Sequence, residues 1–563
     1  MKGKFSAPFE RVFAVLVLLV GTAAAVHYEE PDSLGRIVLC LLSALLLIRI
    51  WTARRISSFL FPGLLWISLA ALFLLPALPG FRSPYPPTRF LYIVAFAASW
   101  TVTGPLIPKR PGAAEILLGL TILALLLLRS YQLYLHLQYG YDLAHVLNIL
   151  DNLESGRGFF SDYLGQSILR NHLFLSLGLL APFYTVFRNG FFPQAIQILS
   201  LGLSLFFVTR GVRRRFGEEA GWAAFCVLAF HPAFSGFAVH EMDPAVLGTL
   251  GVAVAFYGYA RGRRAWFALG SALAILSKEH FLAAGILAGI ALAVTKRSWR
   301  REGFLLATIS AAILAVFLTY NRTGPGFDLS AQARLRFGPR GFHPALLLES
   351  LKQPSRVGYL LHIFVPAGLL PIAAPLYLLP ALPEVLLNVV SRFPMYKIMS
   401  HYASLTLPFL GIATGAAVAS LASFLHLSDE SVASFSALSA LLAAILCTLG
   451  PLSHTGAFYD IVFREPDATA LHARALVKRL PPGGVALEGN HRLLILLADR
   501  KPVIDLPYLD RKKEMRRRPL LIRDLYTQIG KGEPDPNPPA GYALVDREDS
   551  IFVYRRKESA GRR

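Results

Sequence analysis

The chain has 563 residues, 54% of them hydrophobic and only 16% charged, and carries a formal net charge of +21. That apolar content excludes an ordinary soluble enzyme and reads as a polytopic membrane protein. The positive charge does not point to nucleic acid, because the arginines fall in short clusters between apolar segments, where the positive-inside bias accounts for them. Cys40, Cys226 and Cys447 all lie in apolar runs and offer neither a disulfide framework nor a zinc knuckle.

Apolar segments of roughly 17 to 22 residues recur up to about residue 452, each near the length that crosses a hydrocarbon core of about 30 Å at 1.5 Å per residue. Their hydrophobicity is continuous, so helices are expected and not barrel strands. The first run, FAVLVLLVGTAAAV, follows Lys2, Lys4 and Arg11 and is read as a retained signal anchor with the N-terminus inside. Arg54 with Arg55, and Lys109 with Arg110, then fall inside after alternate spans, which gives residues 1–110 as N-terminal transmembrane helices. The fifth span delivers Asp142, in YGYDLAHV, to the outer face.

Residues 132–190 follow as an outer segment. Counting its apolar part as a span would place Arg210, Arg213, Arg214 and Arg215 outside, so residues 171–188 are expected as one helix in the outer interface, kinked near Pro182. RGRR at 261–264 and KRSWRR at 296–301 are inside; HEMD at 240–243, SKEH at 277–280 and a loop at 321–359 are outside. Helices near 403–424 and 432–452 bring the total to about fifteen crossings. Residues 453–563 change to mixed charge, PPGG, PDPNPP and short β-like runs such as YALVD, and read as a small extracytoplasmic α/β domain. The expected fold class is an all-α polytopic membrane protein with an outer interfacial helix, its transmembrane core at 111–452, plus that C-terminal domain.

Ionisable groups at membrane depth cost several kcal/mol unless they face a cavity or a partner. Asp142, His172, His240, Glu241, Asp243, Lys278 and Glu279 all come to outer helix ends on this topology, which is the layout of a site; singly, each could mark only where a helix leaves lipid. His172, His240, Glu241 and Asp243 are candidate ligands for a divalent cation, with a hydrogen-bonded network as the alternative because no HExxH-type spacing sets two ligands on one face. Tyr139 and Tyr141 suit an interfacial aromatic belt or sugar stacking. Gly285 with Gly289, and Gly411 with Gly415, form GxxxG in apolar helices and read as close packing.

The succession YDLAHVLNILDNLESGRGFF, NHLFLSLGLLAPFY, HEMDPAVL, LAILSKEHF, LPEVLLNVVS and HYASLTLPFL resembles a bacterial and archaeal membrane-protein family of unknown function. That family is similar to the GT-C glycosyltransferases, which include the lipid A aminoarabinose transferases and protein O-mannosyltransferases. The resemblance covers roughly residues 125–425, with an echo in LPPGGVALEGNHRLLILLADR. In one place the chain departs from it: HEMDP stands where an HxFHPE-like pattern is expected, with Asp243 in place of the second histidine.

The resemblance implies a GT-C-like core, an inner-membrane location and inverting transfer of a sugar from a polyprenyl-phosphate donor to an envelope acceptor at the outer face. Asp142 occupies the position of the acceptor-activating aspartate. Lys278 is the first choice for the donor phosphate, with Arg157 and Arg170 as alternatives, and the resemblance puts His401 and Tyr402 in the cavity wall, with a position in the interfacial aromatic belt as the alternative. The competing functions are a transporter or flippase for a lipid-linked saccharide, which would keep its polar groups nearer the midplane and often show repeated halves, and a non-catalytic scaffold for envelope assembly.

Overall fold

The computed structural model describes residues 111–322, most of 334–425, 428–449 and most of 468–497, together with 503–504, 518–524, most of 538–548 and 551–557. The signal anchor and the spans expected before residue 111 lie outside these residues.

The chain is mostly helical. Taking helices of eight residues or more, α1 is Pro111–Leu135, α2 Tyr141–Glu154, α3 Phe192–Phe216, α4 Glu218–Phe230, α5 Pro232–Val239, α6 Ala245–Arg261, α7 Arg264–Ile275, α8 Glu279–Thr295 and α9 Arg300–Arg322. Further along are α10 Pro354–Phe364, α11 Leu382–Val390, α12 Thr406–Leu425, α13 Asp429–Leu449 and α14 Ala468–Arg479. Among the described residues, 4 helices are long and apolar enough to cross a membrane, or 5 counting the α4–α5 pair, which bends by 48°. The break has a local cause: Pro232 cannot continue the backbone hydrogen bonding of α4, and His231 caps α5 by accepting from the Ala233 amide. α9 keeps Phe304, Leu305, Ile309 and Val316 exposed, a face suited to lipid.

α3 packs between α4 and α6, α6 against α7, and α8 against α9. The close approach of α8 to α9 depends on small residues, as the GxxxG spacing suggested. A Cβ added at Gly289 would stand 2.6 Å from both the Ala307 nitrogen and the Gly303 oxygen of α9. Those are backbone atoms that cannot rotate away, so Gly289→Ala should destabilise the protein by about 1–3 kcal/mol, seen as a lower thermal midpoint in detergent.

The region expected as one interfacial helix over 171–188 is instead broken. It consists of a 3₁₀ turn at Leu175–Leu179 and a short helix at Ala181–Val186, with Pro182 in the first turn of the second piece and no kink within one helix. Pro182 is well placed there, since its missing N–H falls where a helix has no acceptor for it. Upstream, a two-residue antiparallel pair, β1 (Phe160–Ser161) and β2 (Gln166–Ser167), folds this segment back. Part of the loop expected at 321–359 is helical, with Ala345–Leu351 and the start of α10 inside it.

From residue 468 onward the chain forms α14 and a five-stranded mixed sheet of order β4-β3-β5-β7-β6. Its strands are β3 Val485–Gly489, β4 Val503–Ile504, β5 Leu520–Asp524, β6 Tyr542–Glu548 and β7 Ile551–Arg556. Arg474 of α14 donates to the Tyr134 carbonyl at 2.9 Å and stacks over the Tyr134 ring, which seats α14 on the end of α1.

Candidate functional site

The site is built where α1 ends. Leu137 takes a left-handed backbone, φ 54°, and turns the chain out of α1. Tyr139 then inserts its ring: it is 3% exposed, and its hydroxyl meets Ser130 Oγ at 2.6 Å and donates to the Val239 carbonyl at 3.1 Å. Tyr139 is therefore a buried anchor and not part of an interfacial belt. Tyr141 stands over His145, ring centroids 5.1 Å apart.

α2 starts at Tyr141 with Gly140 as its N-cap and no side-chain cap bond. The capping duty passes to another segment, since Glu241 Oε2 accepts from the Leu143 amide at 3.0 Å. Asp142, half-buried in the first turn, is left free of it. Burial and the neighbouring Glu241 charge raise the Asp142 carboxyl to about 6. Burial also raises Glu241, against the opposing effect of the amides of Leu143, Gly140 and Asp142.

The loop carrying His240, Glu241 and Asp243 is held by two glutamines of α3. Gln194 Nε2 and Gln197 Nε2 donate to the His240 carbonyl at 2.7 and 2.8 Å, and Gln197 Oε1 accepts from the Asp243 amide at 3.0 Å. Asp243 in turn receives Lys278 Nζ at 2.7 Å, with both side chains more than nine-tenths buried, and its other oxygen accepts from the Ala245 amide at the start of α6. Burial acts to raise Asp243, but Lys278 and His401 outweigh it and hold the carboxyl well below the usual range. His401 Nε2 lies 3.4 Å from the same oxygen as Lys278.

His401 and Tyr402 reach this point through a clamp the sequence reading missed. Buried Glu384 of α11 accepts from the Leu405 and Thr406 amides at 3.1 and 2.7 Å and from the Ser404 and Thr406 hydroxyls at 3.0 and 2.6 Å. It thereby caps α12 and fixes the turn just before it. Asn388, one turn further along α11, donates to the Tyr402 carbonyl at 2.5 Å. The signal available was polar residues inside apolar helices, namely Gln194 and Gln197 at i, i+3 in FFPQAIQIL, and Glu384 and Asn388 at i, i+4 in LPEVLLN.

Asp142, His240, Asp243, Lys278 and His401 thus converge. Asp142, His240 and His401 each bring a ligand atom within 4.8 Å of the others. The quartet His172, His240, Glu241 and Asp243 does not share one point. His172 Nδ1 meets Glu279 Oε1 at 3.0 Å, Glu241 caps α2, and Asp243 takes Lys278. The donor set that could hold a divalent cation is therefore Asp142, His240 and His401, and the buried Nδ1 of His401 has no hydrogen-bond partner among the described residues, as a ligand nitrogen requires.

Two basic candidates engage partners outside this cluster. Arg157 binds Asp162 at 2.9 Å and Asn152 Oδ1 at 2.8 Å, which with Asn148 closes the β1–β2 hairpin on α2. Arg170 lies over the Tyr320 ring, 4.8 Å from its centroid.

An apolar cavity of about 190 Å³ lies among the helices. It runs along α8 from Phe281, three residues after Lys278, through Ala284, Ala288 and Leu292 to Lys296, and is closed by Phe256 of α6 and Phe409 of α12.

Against known proteins, the family described as predicted membrane protein (DUF2079) matches residues 129–522. No curated protein matches the chain. Among solved structures, ArnT from Cupriavidus metallidurans bound to undecaprenyl phosphate has a similar fold, with a TM-score of 0.51 over 80% of this chain and 99% of that one at 14% identity. The same protein in the apo state gives 0.47, covering 78% and 98% at 15% identity. The Archaeoglobus fulgidus oligosaccharyltransferase in complex with Zn and sulfate gives 0.41, covering 73% and 68% at 12% identity.

Proposed function

Since the chain belongs to this family of predicted membrane proteins, we propose that it is a glycosyltransferase of the cytoplasmic membrane that moves a sugar from a polyprenyl-phosphate donor to an envelope acceptor at the outer face. The observation that carries this reading is the position of Asp142: a carboxylate in the first turn of α2, relieved of capping by Glu241 and gathered with His240 and His401 beside the Lys278–Asp243 pair. The likeness of fold to ArnT, which binds undecaprenyl phosphate, supports the donor class.

In this reading Asp142 takes the proton of the acceptor hydroxyl while the donor phosphate leaves from the opposite face of the sugar. Lys278 uses one of its three donor positions on Asp243 and offers the others to that phosphate. The cavity along α8, lined by Phe281, Ala284 and Ala288, suits an apolar tail. A divalent cation held by Asp142, His240 and His401 would supply a Lewis acid there and would take the Asp142 carboxylate out of its role as a free base.

The decisive experiment incubates the purified protein with radiolabelled polyprenyl-phosphate sugars and measures release of the carrier phosphate. No release from any donor, with a cell-envelope extract present as the source of acceptor, overturns the reading. The pH profile separates two roles for Asp142. A free carboxylate base raised to about 6 becomes competent as it deprotonates, so transfer should climb as pH rises through about 6. A metal-bound carboxylate would already be ionised there, giving a flat profile and loss of activity on chelation. The climbing profile is the expected outcome.

A further inference from the structure

At the end of the bundle away from Asp142 lies a second concave site. α3 starts beside the Asp243 loop and runs 25 residues, roughly 37 Å at 1.5 Å per residue, to its basic end. α6 leaves that same loop and ends at Arg261, 17 residues on. Where these ends meet the start of α7 there is a depression of about 780 Å³ lined by Arg214, Arg261, Arg263, Arg264, Tyr257 and Trp266.

The charge in this depression is unbalanced in a selective way. Neighbouring Arg213 points inward and is paired with both Glu115 and Glu218. Of the arginines lining the depression, Arg264 is paired with Glu302 at 2.9 Å and Arg261 donates to the Tyr257 hydroxyl at 3.1 Å. Arg214 and Arg263 have no ion pair among the described residues, and no carboxylate lines the depression. Guanidinium groups gathered around one concavity repel each other unless an anion joins them, and their fork geometry suits phosphate oxygens.

The walls say which kind of anion. Phe207, Tyr257 and Trp266 form an aromatic cluster beside the depression, with centroids 5.3 to 6.2 Å apart. The outward faces of α3 and α7 present exposed Leu203, Phe206 and Leu269, with Arg210 over the Phe206 ring. A soluble phosphate would have no use for that apolar seam. A phospholipid would place its acyl chains along the seam, its glycerol region at the aromatic cluster and its phosphate among the arginines.

We propose that this depression is a binding site for an anionic phospholipid of the leaflet facing away from Asp142, with Arg214, Arg261 and Arg263 holding its phosphate. The test uses the full-length protein, delipidated in detergent and titrated with dioleoyl phosphatidylglycerol or dioleoyl phosphatidylcholine, with adducts counted by native mass spectrometry. Phosphatidylglycerol adducts should exceed phosphatidylcholine adducts several-fold on the parent protein. They should fall about fivefold or more in R214Q/R261Q/R263Q, and stay at the parent level in R297Q/R301Q, which removes two exposed arginines from a different stretch. The single variant R263Q, a change on an exposed loop, should already give a partial loss and serves if the triple variant does not fold. Equal binding of the two lipids, equal losses in both multiple variants, or full retention in R263Q and the triple variant overturns the proposal. So does displacement of phosphatidylglycerol by millimolar inorganic phosphate, since that would mean the apolar seam adds nothing.

Discussion

Asp142→Asn should lower sugar transfer by roughly 10² or more while leaving the fold intact, because it keeps the shape of the side chain but removes the charge and the capacity to accept a proton. The competing explanation for an aspartate in the first turn of a helix is capping, and there the geometry is informative. Gly140 occupies the cap position of α2, and Glu241 supplies the carboxylate that receives the Leu143 amide. Asparagine at 142 therefore removes no cap. It also relieves the repulsion from Glu241 that helps raise Asp142, so the thermal midpoint at pH 8 should stay level or rise slightly. Glu241→Ala should behave in the opposite way, lowering stability by about 0.5–2 kcal/mol because the Leu143 amide loses its acceptor. Thermal stability and transfer measured together on both variants decide the matter, and an Asp142→Asn protein with unchanged turnover removes Asp142 from the chemistry.

What could be read in the sequence was the set of charges that had no reason to be in a membrane. Asp142, His240, Asp243 and Lys278 come from three separate stretches, and the argument that each is too costly to keep idle was enough to group them. Partner choice was not legible. His172 and His240 look alike in sequence, yet one meets Glu279 and the other stands with Asp142 and His401, because pairing depends on how α8 and α12 are rotated in the bundle. The supporting polar groups escaped for a related reason. Gln194, Gln197, Glu384 and Asn388 sit inside apolar runs, and their hydrogen bonds go to backbone in distant loops. Segment 171–188 misled through its hydrophobicity, which suits one helix, whereas the backbone turns twice and Ser176 donates its amide to the Leu276 carbonyl between α7 and α8.

Lys278→Met should destabilise the protein by about 3–5 kcal/mol, since it strands the Asp243 carboxylate in a buried site. Both side chains of this pair are more than nine-tenths buried and 2.7 Å apart, and Asp243 holds a low proton affinity chiefly because Lys278 outweighs its burial. Asp243→Asn strands the ammonium instead and should cost a similar amount, although asparagine still offers an oxygen to the Ala245 amide. Removing both charges leaves nothing unpaired, so D243N/K278M should recover most of the stability, with a coupling energy close to the sum of the two single costs in the double-mutant cycle. Activity should not return with it. If the ammonium serves the donor phosphate, the folded double variant transfers no sugar, whereas a purely structural pair predicts transfer restored along with the thermal midpoint. Lys278→Arg sharpens the distinction: guanidinium keeps the charge but spreads it over a larger plane, so it should retain part of the stability and bind a polyprenyl phosphate while turning over slowly. Single variants within about 1 kcal/mol of the parent would show that the pair is not buried as drawn, and the link from His401 through Asp243 to Lys278 would have to be abandoned.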